Sequence, residues 1–294
     1  TVWGRIAWLI AQGALQDWDI ETFLALYREN QHPLILSDGL PTDAIPVPLH
    51  WQSAWQARGS SPSKTIPWET YLRIRDNPPM EPLSSNGQGE QNVTLWRVAI
   101  DRESGRAVDG ALRSESAWIA PQGIIIFALA HDVFTDEHLQ KIFHILSLEG
   151  WGNMRSSGNG AFRIQAIEDF NPQINSPDGF MLLAHCHPTN DMPEGLWKIA
   201  SVPVLPHHPQ TGRAVGPFEP MKRTIMLAPG SSFKDTDPKP FYGRMLSDHV
   251  EGNPQYLHYG IAPALPIKLL GNWNEALLPN PQKFPQGESK KCPK

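Results

Sequence analysis

The stretch 123-GIIIFALAHDVFTDEHLQKIFHILSLEGWGNMRSSGNGAFRIQAI-167 decides the fold. Gly123–Leu129 is an apolar run of strand length and reads as a buried strand. Thr135 then stands as a helix cap, and Asp136 and Glu137 suit the positive amino end of a helix. Leu139, Ile142, Phe143 and Leu146 form one apolar stripe up to Gly150. A glycine-rich connector follows, and Phe162–Ile167 reads as a second strand.

Strand, helix, loop and strand make half of an α+β, ferredoxin-like unit. Toward the amino end, residues 2 to 12 and 18 to 29 read as helices, with Asp17 or Asp19 near the second cap and Ile20, Phe23, Leu24 and Tyr27 at helical spacing. Leu34-Ile35-Leu36 is a short strand ended by the turn at Ser37–Pro41. These pieces supply the other half except for one strand, because such a unit begins with a strand and this chain opens on the helix. A leading strand is therefore expected upstream or from another chain. From 51 to 92 the pattern weakens around Gly59–Ser63, Pro78-Pro79 and Ser84–Gly89, which reads as an excursion, either a flexible insertion or an arm contacting RNA or a neighbouring subunit.

Asn171-Pro172 and Ser176–Gly179 mark a boundary, after which Phe180–Ala184, Arg223–Leu227 and Ala264–Leu269 read as strands of a second, more irregular unit. The expected division is residues 1–170, residues 171–279 and a flexible tail at 280–294. The 23 glycines and 29 prolines imply many loops in either unit.

A formal charge of −5 gives no global nucleic-acid signal, so any such site must be local. With Cys186 and Cys292 as its cysteines the chain carries no disulfide framework, and it shows neither a secretory leader nor an apolar run long enough to span a membrane. A cytoplasmic setting is expected. No initiator methionine precedes Thr1.

The connector Gly150–Phe162 carries the sharpest chemistry. Gly152, Gly158 and Gly160 permit positive φ and close backbone approach, Ser156, Ser157 and amides can donate to phosphate oxygens, and Arg155 adds a charged fork. Taken alone, the run is either a phosphate cradle or a tight connector. It is neither a Walker nor a Rossmann loop, since it lacks their spacing and joins helix to strand rather than strand to helix. Trp151 has two readings, a plate for base stacking or a plug in the core.

The connector resembles the glycine-rich loop of the RAMP superfamily. Thr1–Arg5, Ile35–Pro41, Ala99–Gly105, Met221–Phe233 and His258–Ala262 resemble, in the same order, motifs of one family within it, the fourth subunits of the type III-A CRISPR Csm effector. The family's usual basic residue near Ala161 is absent, as is the leading strand. The resemblance implies two ferredoxin-like, RRM-like RAMP domains. It implies a non-catalytic scaffold that holds the repeat-derived 5′ tag of the guide RNA, links the large polymerase-like subunit to the repeating backbone RAMP subunit, and meets target RNA indirectly. Arg155, Ser156 and Ser157 would contact tag phosphates, and Arg102, Arg106 and Arg113 would border the RNA path. The bland reading of that last group is a charged hairpin, its bases paired with Asp101, Glu103, Asp109 and Glu115. Lys222 and Arg223 precede a strand and are either RNA contacts or part of a shared structural segment.

Neither a cofactor nor a metal is expected. His185 and His187 alternate around Cys186 and His207-His208 form another pair, but no third ligand has diagnostic spacing. Asp169 and Asp178 cannot be assigned acid and base roles from sequence. The competing readings are a metal-dependent RAMP ribonuclease, which needs a compact acidic or histidine cluster, and the head-proximal RAMP scaffold of the Cmr branch.

Overall fold

A computed structural model describes residues 1–61, 63–83, 91–152, 159–203, 223–247 and 257–271; of Gln91, Trp118, Pro203 and Arg223 it describes the backbone alone. The chain is mixed α+β, built on small antiparallel sheets. Its first part runs α1 (Val2–Ala11), α2 (Ile20–Arg28), β1 (Leu34–Leu36), β2 (Leu40–Pro41), β3 (Ile45–Pro46), α3 (Leu49–Ala57), β4 (Thr65–Ile66), α4 (Trp68–Ile74), β5 (Gln91–Arg97), β6 (Arg113–Ile119), β7 (Ile124–Ile125), β8 (Ala128–Ala130) and α5 (Asp136–Glu149). Its second part runs β9 (Gly179–Leu182), β10 (Gly195–Leu196), β11 (Ile199–Pro203), β12 (Arg223–Leu227), β13 (Ser232–Lys234), β14 (Phe241–Gly243) and β15 (Ile261–Ile267).

Local chemistry explains the helices. The Asp19 carboxylate accepts from Thr22 N at 2.9 Å and caps α2; these bonds with Thr22 also hold its pKa below the usual range. Thr135 and His138 form a reciprocal capping box on α5, and Gly150, at φ 79, ends that helix. Helix α1 buries Val2, Trp3, Ile6, Leu9 and Ile10 against α2, β1 and α5. The Arg5 guanidinium lies 3.7 Å over the Trp8 ring and pairs with Glu149, fastening α1 to the end of α5.

Strand β1 pairs with β8 and β2 with β7, both antiparallel. Between Leu36↔Ala128 and Leu40↔Ile125 one strand has an extra residue, so the expected single strand over 123–129 is broken at Ile126-Phe127. Ser37 holds this kink: its N–H donates to Phe127 O and its hydroxyl accepts from Phe127 N, each at 2.8 Å. The break also leaves Ile124, Ile125, Leu129 and their neighbours half-buried or exposed rather than fully buried. Phe162–Ile167, expected as a strand, forms none; no ladder partner lies beside it among the described residues, and Ile164 and Ile167 are exposed. An extended segment without a ladder is not a strand, whatever its side-chain pattern.

The stretch 51–92 departs from expectation more. Residues 49–57 and 68–74 are helical, and Trp51, Trp55, Ile66 and Tyr71 are buried in a core shared with Met181, Leu183, Leu265 and Ile267. Trp51 stacks on Tyr71 at 5.9 Å, and its indole N–H donates to Lys268 O at 2.7 Å. The aromatic payload of this segment, rather than its prolines and serines, decides its place.

The second part centres on a five-stranded sheet in the order β10-β13-β9-β15-β14, with β11 and β12 as a separate pair. Phe180 stacks between Tyr242, at 4.1 Å, and Phe233, at 5.1 Å. Cores join the two parts: Tyr259 and Ile261 pack with α1, α2 and β1. No described helix is long and apolar enough to cross a membrane.

Trp51→Ala is expected to cost about 3–5 kcal/mol in urea unfolding, against about 0.5 kcal/mol or less for exposed Leu72→Ala, a contrast that a dispensable excursion would not produce. His50, in the first turn of α3, is buried, and its Nδ1 accepts from Leu270 N at 3.2 Å; burial pushes its pKa down to about 4. A depressed histidine contributes stability that is complete above its unfolded pKa of about 6.5 and is lost as pH falls toward 4. Urea titrations between pH 7 and 4 are expected to show a loss that includes about 3 kcal/mol from this residue, reduced in His50→Gln.

Candidate nucleic-acid interface

The turn after β1 places three functional groups in succession. Ser37 donates to Asp38 O at 2.8 Å, and Asp38 N donates to Leu183 O at 3.3 Å, docking the turn on the second part. The Asp38 carboxylate then accepts twice through Oδ2, from His185 N at 3.0 Å and His185 Nδ1 at 2.6 Å. The pair joins the turn after β1 to the segment that follows β9. Gly39 comes next. A Cβ there would lie 2.6 Å from the Trp151 ring, so the missing side chain is the seat of that indole.

Trp151 belongs to the stem of the glycine-rich connector. Its N–H donates to Gly160 O at 2.9 Å, closing the connector at its base. Gly160 has φ 77, and a Cβ on it would stand 2.0 Å from Trp151 O. Gly152, at φ 105, has no atom within 4 Å of where its Cβ would be among the described residues. Gly160 is therefore a steric requirement of the stem, while Gly152 is set by its positive φ alone. Arg155, Ser156, Ser157 and Gly158, expected as the phosphate contacts, lie outside the described residues, as does Lys222; Arg223 opens β12 by its backbone pairing with Pro203.

Strands β5 and β6 pair over their whole length in an isolated two-stranded arm, with Arg97 opposite Arg113. Glu115 sits 3.3 Å from Arg97 and 3.6 Å from Arg113, so one carboxylate serves two guanidinium groups. Arg97 also donates to Asn159 Oδ1 at 2.9 Å, tying the arm to the connector's stem. Arg102 and Arg106 lie exposed toward the arm's tip, where Asp101 accepts from Ser104 N at 2.7 Å in an Asx turn. Backbone and side-chain bonds from Ser104 keep the Asp101 pKa low. The structure thus brings Trp151, Gly152, Gly160 and Arg113 to one neighbourhood and sets Arg102 and Arg106 farther along the arm. Sequence reading missed Arg97, which only the strand register pairs with Arg113.

A cleft of about 720 Å³ opens beside this stem. Its wall takes Trp3 from α1, Asp38 and Leu40 from the turn, Trp151, His185, and Met226 from β12. Among the described residues no group of three or more His, Cys, Asp or Glu gathers to hold a metal. Cys186 is buried and its pKa is pushed up to about 12, mainly by burial, so it remains a thiol and is no nucleophile. His187 accepts from Arg244 Nε at 3.3 Å. Asp178 is structural, its Oδ1 accepting from Leu269 N at 2.5 Å.

Gly160→Val is expected to lower unfolding stability by about 2–4 kcal/mol through backbone overlap and left-handed strain, and Gly152→Ala by about 1 kcal/mol through strain alone. Urea denaturation of the two variants side by side checks the ranking.

No protein-family model matches the chain, and no curated protein does. Among solved structures, crystal structures of a Csm1–Csm4 cassette align with it. The complex with pppApA does so at 15% identity over 92% of this chain and 90% of the other, with a TM-score of 0.49. The complex with cA4 gives 16% identity over 90% and 89%, TM-score 0.49, and that with one ATP 16% over 90% and 89%, TM-score 0.46.

Proposed function

We propose that the chain is a non-catalytic RNA-binding scaffold of a type III-A CRISPR effector. On this reading it holds the 5′ tag of the guide RNA and bridges the large polymerase-like subunit and the repeating backbone RAMP subunit. On the same reading its units at 1–170 and 171–279 are RRM-like.

One observation carries the proposal. The segments Thr1–Arg5, Ile35–Pro41, Met221–Phe233 and His258–Ala262, far apart in sequence, each contribute to the wall of a single cleft, and Trp151 brings the glycine-rich connector to the same wall. The remaining segment, Ala99–Gly105, lies in the arm that Arg97 ties to that connector. On this reading an arm with exposed arginines, tied through Arg97 to the connector whose Trp151 lines the cleft, offers a path for a single strand, with phosphate contacts setting position without reading sequence. A formal charge of −5 is compatible with this, because the basic groups needed are few and local.

Arg155→Ala is expected to weaken binding of tag-containing RNA equally across different guide sequences and to reduce the salt slope by about 0.7–1, one phosphate contact, with unchanged folding. Salt-series titrations with intact and tag-deleted guides check this, and unchanged affinity and slope would remove Arg155 from the site. RNA incubated with the chain and magnesium, manganese or zinc is expected to stay intact; cleavage abolished by one acidic or histidine substitution would instead support the ribonuclease reading.

A further inference from the structure

We infer that the outward face of the β5–β6 arm, centred on Trp96, is a docking face for a different protein chain, one whose surface offers an apolar recess with a neutral rim. The inference rests on the scaffold reading and deepens it, because it names where a protein partner, as distinct from RNA, meets this chain.

The ladder register sorts the arm's side chains into two faces, since cross-strand partners and alternate residues share a face. Leu95 and Arg97 lie with Arg113 and Glu115 on one of them. That face is turned inward: Leu95, Arg97 and Glu115 are half-buried, Glu115 serves both arginines, and Arg97 reaches Asn159 in the connector's stem. Thr94 and Trp96 lie with Ser114 and Ser116 on the other face, which is turned outward, and each of these four residues is exposed.

Toward the tip the outward face becomes apolar. Val98 and Ile100 continue the alternation from Trp96, and the Ile100↔Ala107 bridge and the bond from Val108 N to Ala99 O keep the hairpin paired that far. Leu112 precedes Arg113, the residue opposite Arg97, and so stands across from Val98. Trp96 is 68% exposed, Leu112 64%, Ile100 55% and Val98 41%. None of the four joins a buried core among the described residues. An apolar strip on the order of 400 Å² lies open here, the scale at which exposed patches mark interaction sites. A two-stranded hairpin is marginally stable by itself in water, so a cover on this strip also steadies the arm.

Charge decides what kind of molecule covers it. Among the described residues the outward face carries no ionisable side chain along the ladder, because both of the ladder's arginines point inward. At the tip, residues 98–112 set two basic side chains against three acidic ones. A face built for RNA gathers cations against phosphates. A neutral face with an indole at its centre and short hydroxyls around it matches the core of a protein–protein contact, where charges are depleted and tryptophan is enriched. Size decides whose chain it is. A stable interface buries about 800 Å² on each partner, so a strip about half as large does not hold two copies of this chain together. It fits one part of a broader contact with another subunit.

The test immobilises the full chain and measures three probes by biolayer interferometry: the purified large polymerase-like subunit, the purified backbone RAMP subunit and a tag-containing guide RNA. Trp96→Ser and Leu112→Ser are each expected to weaken one of the two subunits about tenfold, the loss seen at an interface anchor, and to leave RNA affinity within about twofold. Both side chains are exposed, so both variants are expected to keep the wild-type urea midpoint; Leu148→Ser, at an exposed leucine of α5, is expected to change neither binding nor midpoint. A loss of RNA affinity in Trp96→Ser makes the face an RNA plate and overturns the inference while leaving the RNA reading standing. A wild-type chain that sediments as a dimer, and as a monomer once Trp96 is replaced, overturns it in favour of self-association. It is equally overturned if the wild-type chain binds neither subunit, or if Trp96→Ser binds both unchanged. Subunit binding that depends on Trp96 in a chain that binds no RNA upholds the docking face and removes the RNA reading.

Discussion

The outer edge of β1 is the constraint on which the rest of the molecule depends. Its inner edge is paired with β8, and its outer edge would leave Leu34 O and the N–H and C=O of Leu36 buried without a ladder. Two tyrosine hydroxyls close that edge. Tyr27, from α2, donates to Leu34 O; Tyr259, from the second part of the chain, accepts from Leu36 N at 2.8 Å and donates to Leu36 O at 3.3 Å. Both phenols are held well above their ordinary pKa, mainly by burial, so they remain neutral donors. A buried backbone group left unsatisfied costs about 1–3 kcal/mol, so Tyr259 alone answers for a large part of a domain's net stability.

That closure has geometric consequences beyond its energy. Tyr259 stacks on Trp3 at 5.2 Å, and Trp3 meets Tyr27 edge-on at 5.1 Å, so α1, α2 and the segment before β15 are locked around three rings. With β1 held on both edges, the turn at 37–39 leaves it at a fixed point, and Ser37 kinks it against Phe127. Asp38 then reaches His185 because Leu183 O holds its N–H. The cleft is thus not a gap between two units but a product of the tyrosine closure, the kink and the Gly39–Trp151 contact.

Much of the first part was legible in the sequence, for local reasons. Asp19 and Thr135 announce their helices because capping is a short-range bond, and Leu34–Leu36 is short, apolar and bounded by a turn. Residues 51–74 were misread because proline and serine dominate the composition, while the informative signal was Trp51 and Trp55 at helical spacing with Tyr71 beyond them. The runs at 123–129 and 162–167 looked like continuous strands because periodicity reports side-chain environment and not the presence of a ladder partner. At the candidate site the glycines were legible, whereas Arg97 and the Asp38–His185 pair were not. Arg97 gains its place from strand register, and the pair from a tertiary contact that no local pattern encodes.

The glycines themselves divide by position. Read in sequence, those of 150–160 form one run, either a phosphate cradle or a tight connector. In the fold, Gly150 ends α5 with its would-be Cβ 3.1 Å from Asn159 O, Gly160 closes the stem against Trp151 O, and Gly39, far away in sequence, receives the indole that the stem presents. These serve packing, and a side chain on Gly39 or Gly160 would displace Trp151 before it disturbed any ligand. Gly152 differs, since a Cβ there would meet nothing within 4 Å among the described residues. A phosphate cradle needs open amides on a rigid base, and a connector glycine-rich throughout would lack the base. Here the stem supplies rigidity through Trp151, and Trp151 in turn forms the wall of the cleft. One indole ring therefore couples the connector to the cleft, so a change in the position of the stem would change the shape of the wall.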